Sequence, residues 1–159
     1  MKKLILSLLT LSASSAIAAS PELIGNFGKW RAYKADGVCF AACQPEKSEG
    51  NYTSRGDTFL MVSHRPKEKV KDEVSTLMGY TINTKSPAEI LIDDKTKYEL
   101  QTTPEAGFAI EDSKTVDSMK RGMKLVIHAT SSRGTLTTDT YTLKGFTKAN
   151  AAAQKACKS

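Results

Sequence analysis

Three cysteines, two histidines and one acidic cluster carry most of this chain's capacity for chemistry: Cys39, Cys43 and Cys157, His64 and His128, and Glu89 with Asp93 and Asp94. A zinc site needs about four ligands brought together, usually as closely spaced pairs. Cys39 and Cys43 form one such pair, but the two histidines have no ligand-like spacing, so no metal is expected. His64 lies between Ser63 and Arg65 at the end of a β-rich run, which suits a surface histidine better than a general base. His128 alternates out of phase with Leu125 and Ile127 and is expected to face solvent or a neighbouring strand. The three carboxylates sit at a turn signal, where such residues usually form the turn and solubilise it. The chain has no H-E-x-x-H, G-x-S-x-G, C-x-x-C or phosphate-binding glycine loop. It is read as a non-enzyme without catalytic residues or cofactors.

How the cysteines behave depends on compartment. Lys2 and Lys3 form a short positive segment, Leu4 to Leu11 is almost unbroken apolar sequence, and Ala16-Ile17-Ala18 supplies a small-residue cleavage pattern. That is the build of a bacterial secretory signal peptide, with cleavage expected after Ala18. The apolar stretch falls short of the ~20 residues that span a bilayer, and no later segment is apolar enough to do so. No cysteine near the cleavage point invites lipid anchoring. Residues 19–159 then form a single exported domain, periplasmic or secreted, with a charge excess of 21 − 17 = +4 against +6 for the whole chain. The basic residues are spread out, with no arm that would hold nucleic acid.

In an oxidising compartment the cysteines suggest a disulfide. On one extended strand Cys39 and Cys43 would lie about 13 Å apart, beyond the ~7 Å reach of a bridge. Cys157, close to the C-terminus, suits a staple to an early strand. Cys39–Cys157 is the favoured pair, and Cys43–Cys157 is the alternative. The first closes a loop of 157 − 39 = 118 residues, for which chain entropy gives about 4–5 kcal/mol. Cys43 is left as the free thiol, buried and inert or available to a partner.

The elements that must position these groups are mostly strands. Residues 27–33 alternate large and small side chains, Asp36-Gly37 marks a hairpin, and residues 38–42 return. Residues 44–56 are polar and read as a surface loop. Strands are expected over 58–64, 74–82, 88–92 and 97–101, with 65–71 a loop and 93–95 a tight turn. Residues 123–130 and 135–143 form the clearest hairpin, joined across Ser131-Ser132-Arg133-Gly134. A short helix is expected over 112–121 and a terminal one over 146–157. About eight strands with late helices predict a mainly β domain, an antiparallel sandwich or barrel. Asp139 shares a strand face with Tyr141 and Leu143; if that face is inward it needs a cation such as Arg133 or Lys144.

Ser54-Arg55-Gly56 and Ser132-Arg133-Gly134 echo one another, each setting an arginine beside a glycine where a strand begins. If both loops fall at one end of the domain, Arg55, Arg133 and Lys144, with Arg65, form a basic rim. Such a rim could hold an anionic sugar, a lipid headgroup or an acidic partner. Alternatively these are solvated turn arginines. On the rim reading, replacing Arg55 and Arg133 with Ala weakens envelope association and leaves thermal stability nearly unchanged. Arg55-Gly56-Asp57 also spells an integrin-recognition tripeptide, but Asp57 enters a strand and Gly56 is read as a turn glycine.

Several stretches together resemble the invasion-associated locus B family of exported bacterial proteins. They are Phe27-Gly28-Lys29-Trp30, Val38-Cys39-Phe40, Ser54-Arg55-Gly56-Asp57, residues 62–66, and the block 130–146 with its hairpin. The resemblance implies a compact, exported β-sandwich-like domain with no catalytic residue to carry over. It sets the family's early cysteine at Cys39, which favours Cys39–Cys157 and leaves Cys43 as a departure. The expected function is an interaction module that contacts an envelope component or, in a pathogen, the host surface. The alternatives are a small-ligand-binding domain using the basic rim and a thiol-dependent activity at Cys43.

Overall fold

The computed structural model describes residues 19–158; the signal segment expected over 1–18 lies outside the described residues. Eleven strands and two helices follow in the order β1 (Glu22–Phe27), β2 (Trp30–Ala35), β3 (Val38–Cys43), β4 (Lys47–Gly50), β5 (Phe59–Arg65), β6 (Val70–Leu77), β7 (Glu89–Ile92), β8 (Thr96–Thr102), β9 (Ala106–Ala109), α1 (Asp112–Arg121), β10 (Lys124–Thr130), β11 (Leu136–Thr142) and α2 (Phe146–Ala156). All pairings are antiparallel, and the spatial order is β1-β2-β3-β5-β6-β9-β8-β7-β10-β11-β4. β1 and β4 are the ends of that order, so the sheet does not close into a barrel.

The sheet turns over at β8. Its first part, Thr96 to Glu99, pairs with β7, and its last part, Leu100 to Thr102, pairs with β9. The two halves face one another across a single core, in which Trp30, Leu60, Val62 and Val74 meet Ile90, Leu125, Ile127 and Tyr141. Each buried aliphatic side chain there contributes about 1.5–3 kcal/mol. The Trp30 indole N–H donates to the Thr142 carbonyl at 2.9 Å, tying β2 to the end of β11, and the Trp30 ring packs 4.9 Å from that of Phe146. The mainly β, sandwich-like class read from the sequence is the class observed.

Three local expectations change. Residues 27–33 are a hairpin rather than one strand: Gly28, at φ 68°, turns the chain so that Phe27 pairs with Trp30. The aromatic alternation therefore spans a turn and belongs to two strands. Residues 44–56 hold an edge strand, β4, whose four residues are all exposed and so carry no hydrophobic period. The strand expected from residue 74 begins at Val70, after a 3-10 turn over Pro66–Glu68, and ends at Leu77.

His64 is a correction of a different kind. It is 3% exposed and lies under α2, not at the surface. Its Nδ1 accepts the Asp72 backbone N–H at 3.2 Å. That fixes the tautomer, so Nε2–H donates to the Asn150 side-chain oxygen at 2.8 Å. The Asp72 carboxylate in turn accepts from the amides of Asn150 and Gln154. This closed polar network docks α2 on β5, and the Cys39–Cys157 disulfide, with Cα atoms 5.7 Å apart, fastens the helix end to β3. The turn carboxylates behave as expected for a turn. Asp93 and Asp94 both take positive φ, and Asp93 accepts the backbone N–H groups of Met123 and Lys124. Those two hydrogen bonds hold the Asp93 carboxyl below its ordinary range. Glu89 departs from the expectation: it lies on β7 rather than in the turn, and pairs across the sheet with Lys97 and His128.

Candidate functional site

Register on β11 decides where the polar groups of the core go. Thr137, Asp139 and Tyr141 alternate with exposed or half-buried residues and point inward. Asp139 thus needs a cation, and its partner is Arg55, from the segment before β5. The guanidinium meets the carboxylate at two points, Nη1–Oδ1 at 2.7 Å and Nη2–Oδ2 at 2.6 Å, with side chains 6% and 1% exposed. Arg55 Nε–H donates to the Met78 carbonyl at 2.5 Å. Its charge also lies 5.5 Å from the centre of the Tyr52 ring and 4.9 Å from that of Tyr80. Arg133 and Lys144, named as partners from the sequence, do not take this role.

Arg55, held from behind by Asp139, forms part of one wall of a cleft of about 390 Å³ at one end of the sandwich. Its lining comes from Asn51 to Arg55, from Tyr80 and Thr81, and from the β10–β11 turn with Thr135 and Thr137. The backbone locks these three loops together. Ser132 N–H donates to Thr81 O at 2.7 Å, Asn83 N–H to Thr130 O at 2.9 Å, and Gly56 N–H to Gly79 O at 2.8 Å. A side chain at position 79 would place Cβ 2.2 Å from the Gly56 oxygen, so only glycine permits that approach. Tyr80 packs beside Arg55 and shares a 2.6 Å hydrogen bond with Thr137, whose hydroxyl proton is directed to the Ala129 carbonyl. Burial is the main reason the Tyr80 phenol is pushed above its ordinary range. Within the turn, Ser131 Oγ accepts Thr135 N–H and Gly134 N–H donates to Ser131 O.

The two echoing arginines therefore do meet at one end, but in different states. Arg55 is consumed by Asp139, so it is neither a solvated turn arginine nor an exposed recognition tip. Arg133 projects from the turn, exposed, with no carboxylate within ion-pair distance among the described residues. Lys144 is exposed but lies beyond the far end of β11, separated from Arg133 by roughly 20 Å of strand. Arg65 is bound to Glu73 and Glu68 at 2.9 Å, in a separate surface cluster. The basic rim reduces to Arg133.

The chain's sequence matches the family described as "Invasion associated locus B (IalB) protein" over residues 30–154. The chain belongs to the invasion associated locus B family. The IalB match contains Arg55, Tyr80, Arg133 and Asp139, together with the whole lining of the cleft. Among solved structures, the chain is similar to one described as the crystal structure of invasion associated protein B from Bartonella henselae. That similarity has a TM-score of 0.59 at 17% identity, covering 89% of this chain and 100% of the other, which is a likeness of fold. No curated protein matches the chain.

Two further features of this IalB domain bear on chemistry. Cys43 is the free cysteine; it is buried, and its thiol donates to the Gln44 carbonyl at 3.3 Å. Burial, with Glu46 adding and Lys29 opposing, pushes that thiol up to about 12, so it stays protonated at neutral pH. Separately, the outer face of the first half-sheet carries a groove of about 850 Å³ along Tyr33, Phe40, Phe59, Met61 and Leu77. Tyr33 and Phe40 stack there, 5.2 Å apart. Among the described residues no three metal-ligating side chains converge, and no helix is long and apolar enough to cross a membrane.

Sequence reasoning found Arg55, Arg133 and the inward Asp139, but missed Tyr52, Tyr80 and the pairing itself. The one available signal was the alternation around Asp139, which demanded a cation without saying which.

Proposed function

We propose that this chain is an exported, non-enzymatic interaction module of the bacterial envelope that engages its partner through the cleft at Arg133. The partner is an anionic envelope component or, in a pathogen, a component of the host surface. One observation carries this reading: an unpaired, exposed guanidinium stands on a turn that is hydrogen-bonded to its neighbours and backed by a buried ion pair. The turn's hydrogen bonds hold the backbone that carries it, and the free guanidinium offers two parallel donors that match an anion's oxygens. The apolar run before Ala18 supports export, and the Cys39–Cys157 disulfide is compatible with an oxidising compartment.

A cleft of about 390 Å³ falls in the range of small-ligand sites, which also supports the narrower reading of a small-ligand-binding domain. Both readings use the same residues. The test is co-sedimentation of the mature, oxidised protein with envelope fractions at low and raised salt. Arg133→Ala should lose most of the association at low salt. Full retention would dismiss the cleft as the contact.

A further inference from the structure

The chemistry of the cleft narrows the ligand. Its two arginines do not give it the charge of a phosphate site, because Arg55 is neutralised by Asp139 at two points and only Arg133 remains to meet an anion. One planar guanidinium matches one carboxylate in a two-point contact. The rest of the lining is uncharged and dense in hydroxyls, which nine of the twelve lining side chains carry. Some of these serve the structure: Tyr80 and Thr137 bond each other, and Ser131 accepts a backbone N–H. Thr53, Ser54, Thr81 and Ser132 are exposed, with hydroxyls open to a ligand. Each hydroxyl is one donor and two acceptors, the complement that a polyhydroxylated ring requires. Tyr52, 36% exposed, adds a further hydroxyl and an apolar ring surface to the cleft.

From this combination we infer that the cleft binds a pyranose bearing a single carboxylate, and that the one ring is the whole recognition unit, so the free sugar acid binds as well as the same ring in a glycan. The inference rests on the cleft reading above and adds the ligand class to it. Arg133 takes the carboxylate, and the hydroxyls of the 53–54 segment, Thr81 and Ser132 take the ring hydroxyls. A lipid acyl chain finds no apolar floor here. An apolar groove does exist on the molecule, but on the outer face along Tyr33, Phe40 and Met61.

The experiment titrates the mature, oxidised protein with glucuronate, galacturonate and N-acetylneuraminate, each followed by amide chemical shifts and calorimetry. Glucose and inorganic phosphate are the controls. At least one sugar acid should bind and shift the amides of residues 51–55, 80–81 and 131–135. Glucose and phosphate should bind at least tenfold more weakly. Arg133→Ala should weaken the sugar acid about 10–100-fold, the loss expected for a charge-assisted contact. Arg133→Lys should recover part of it.

Phosphate binding as tightly as the best sugar acid would reduce the site to a simple anion pocket and overturn the inference. So would silence of all three sugar acids, or binding that survives Arg133→Ala. The co-sedimentation test keeps the two levels apart. If Arg133→Ala still abolishes envelope association while no sugar acid binds, the cleft stands and the sugar falls. If a glycan-bearing envelope binds and free acids do not, the ligand class must be something other than a single acidic ring.

Discussion

Arg55 and Asp139 are 84 residues apart in sequence and meet inside the sandwich through two hydrogen bonds of 2.6 and 2.7 Å. This contact neutralises a carboxylate that the fold could not otherwise bury and fixes Arg55 in the wall of a surface cleft. It also reverses an expectation about stability. Read as a solvated turn residue, Arg55 should be dispensable; read as the counter-ion of a buried carboxylate, it should not.

Arg55→Ala is therefore expected to cost about 3–5 kcal/mol, because it leaves Asp139 buried and uncompensated. Arg133→Ala, at an exposed turn position, should stay within about 0.5 kcal/mol of the parent. Urea unfolding of the two variants checks this. Equal midpoints would mean that the ion pair does not form in solution. An Arg55→Met, Asp139→Leu double variant should recover much of the loss, since a buried pair of apolar side chains needs no counter-charge.

The Cys39–Cys157 bridge closes a loop of 118 residues. Its removal by Cys39→Ser should lower stability by about 4–5 kcal/mol on the chain-entropy account. The loss should begin at α2, which the bridge holds to β3. Hydrogen exchange should show residues 146–157 losing protection well before the core strands β5 and β10; uniform loss would contradict a local staple.

The proton on Cys43 gives a pH signature. Burial raises the folded-state value to about 12, whereas an unfolded thiol releases its proton near 8.5. The native state thus holds this proton more tightly than the unfolded state. Its contribution to stability is complete below about pH 8.5 and declines as pH rises from there towards 12. At neutral pH, alkylation of native protein should be slow and should accelerate sharply in denaturant. Rapid labelling of the native protein would restore the thiol-dependent reading.

In the polar network under α2, His64 donates to Asn150, and Asn150 donates to Asp72. Asn150→Leu leaves the buried His64 Nε2–H without a partner and Asp72 with the Gln154 amide alone, and is expected to cost about 1–3 kcal/mol, read as a lowered thermal midpoint. An unchanged midpoint would mean that water replaces the amide.

How much of this was legible depends on where the information resides. The hairpin over 123–143, the helix over 112–121 and the sandwich class follow from alternation and helix-start residues, which are local. The edge strand β4 did not show itself because all four of its residues are exposed, so no hydrophobic period marks it. His64 was misplaced because a strand-end position looks exposed until a helix from the far end of the chain covers it. Asp139 announced its need for a cation through its strand face, yet Arg55 lay in a stretch that read as loop. Only the sheet order, which places β4 beside β11, brings that stretch near. The repeated Ser-Arg-Gly signal was real in space, since both copies line one cleft, but chemically unequal, since only Arg133 stays unpaired.

Arg133 is the point of contact because its charge stands in the cleft, and an equal charge elsewhere on the surface does not replace it. The most direct test compares the apparent Kd for envelope fractions at low salt among the parent, Arg133→Ala and Lys144→Ala. The two variants lose the same charge from exposed positions near opposite ends of β11. Arg133→Ala should lose about tenfold or more, as for a charge-assisted contact, and Lys144→Ala should keep near-parent affinity. Equal losses would mean that the domain responds to net charge alone, and no loss in either would contradict the cleft as its binding site.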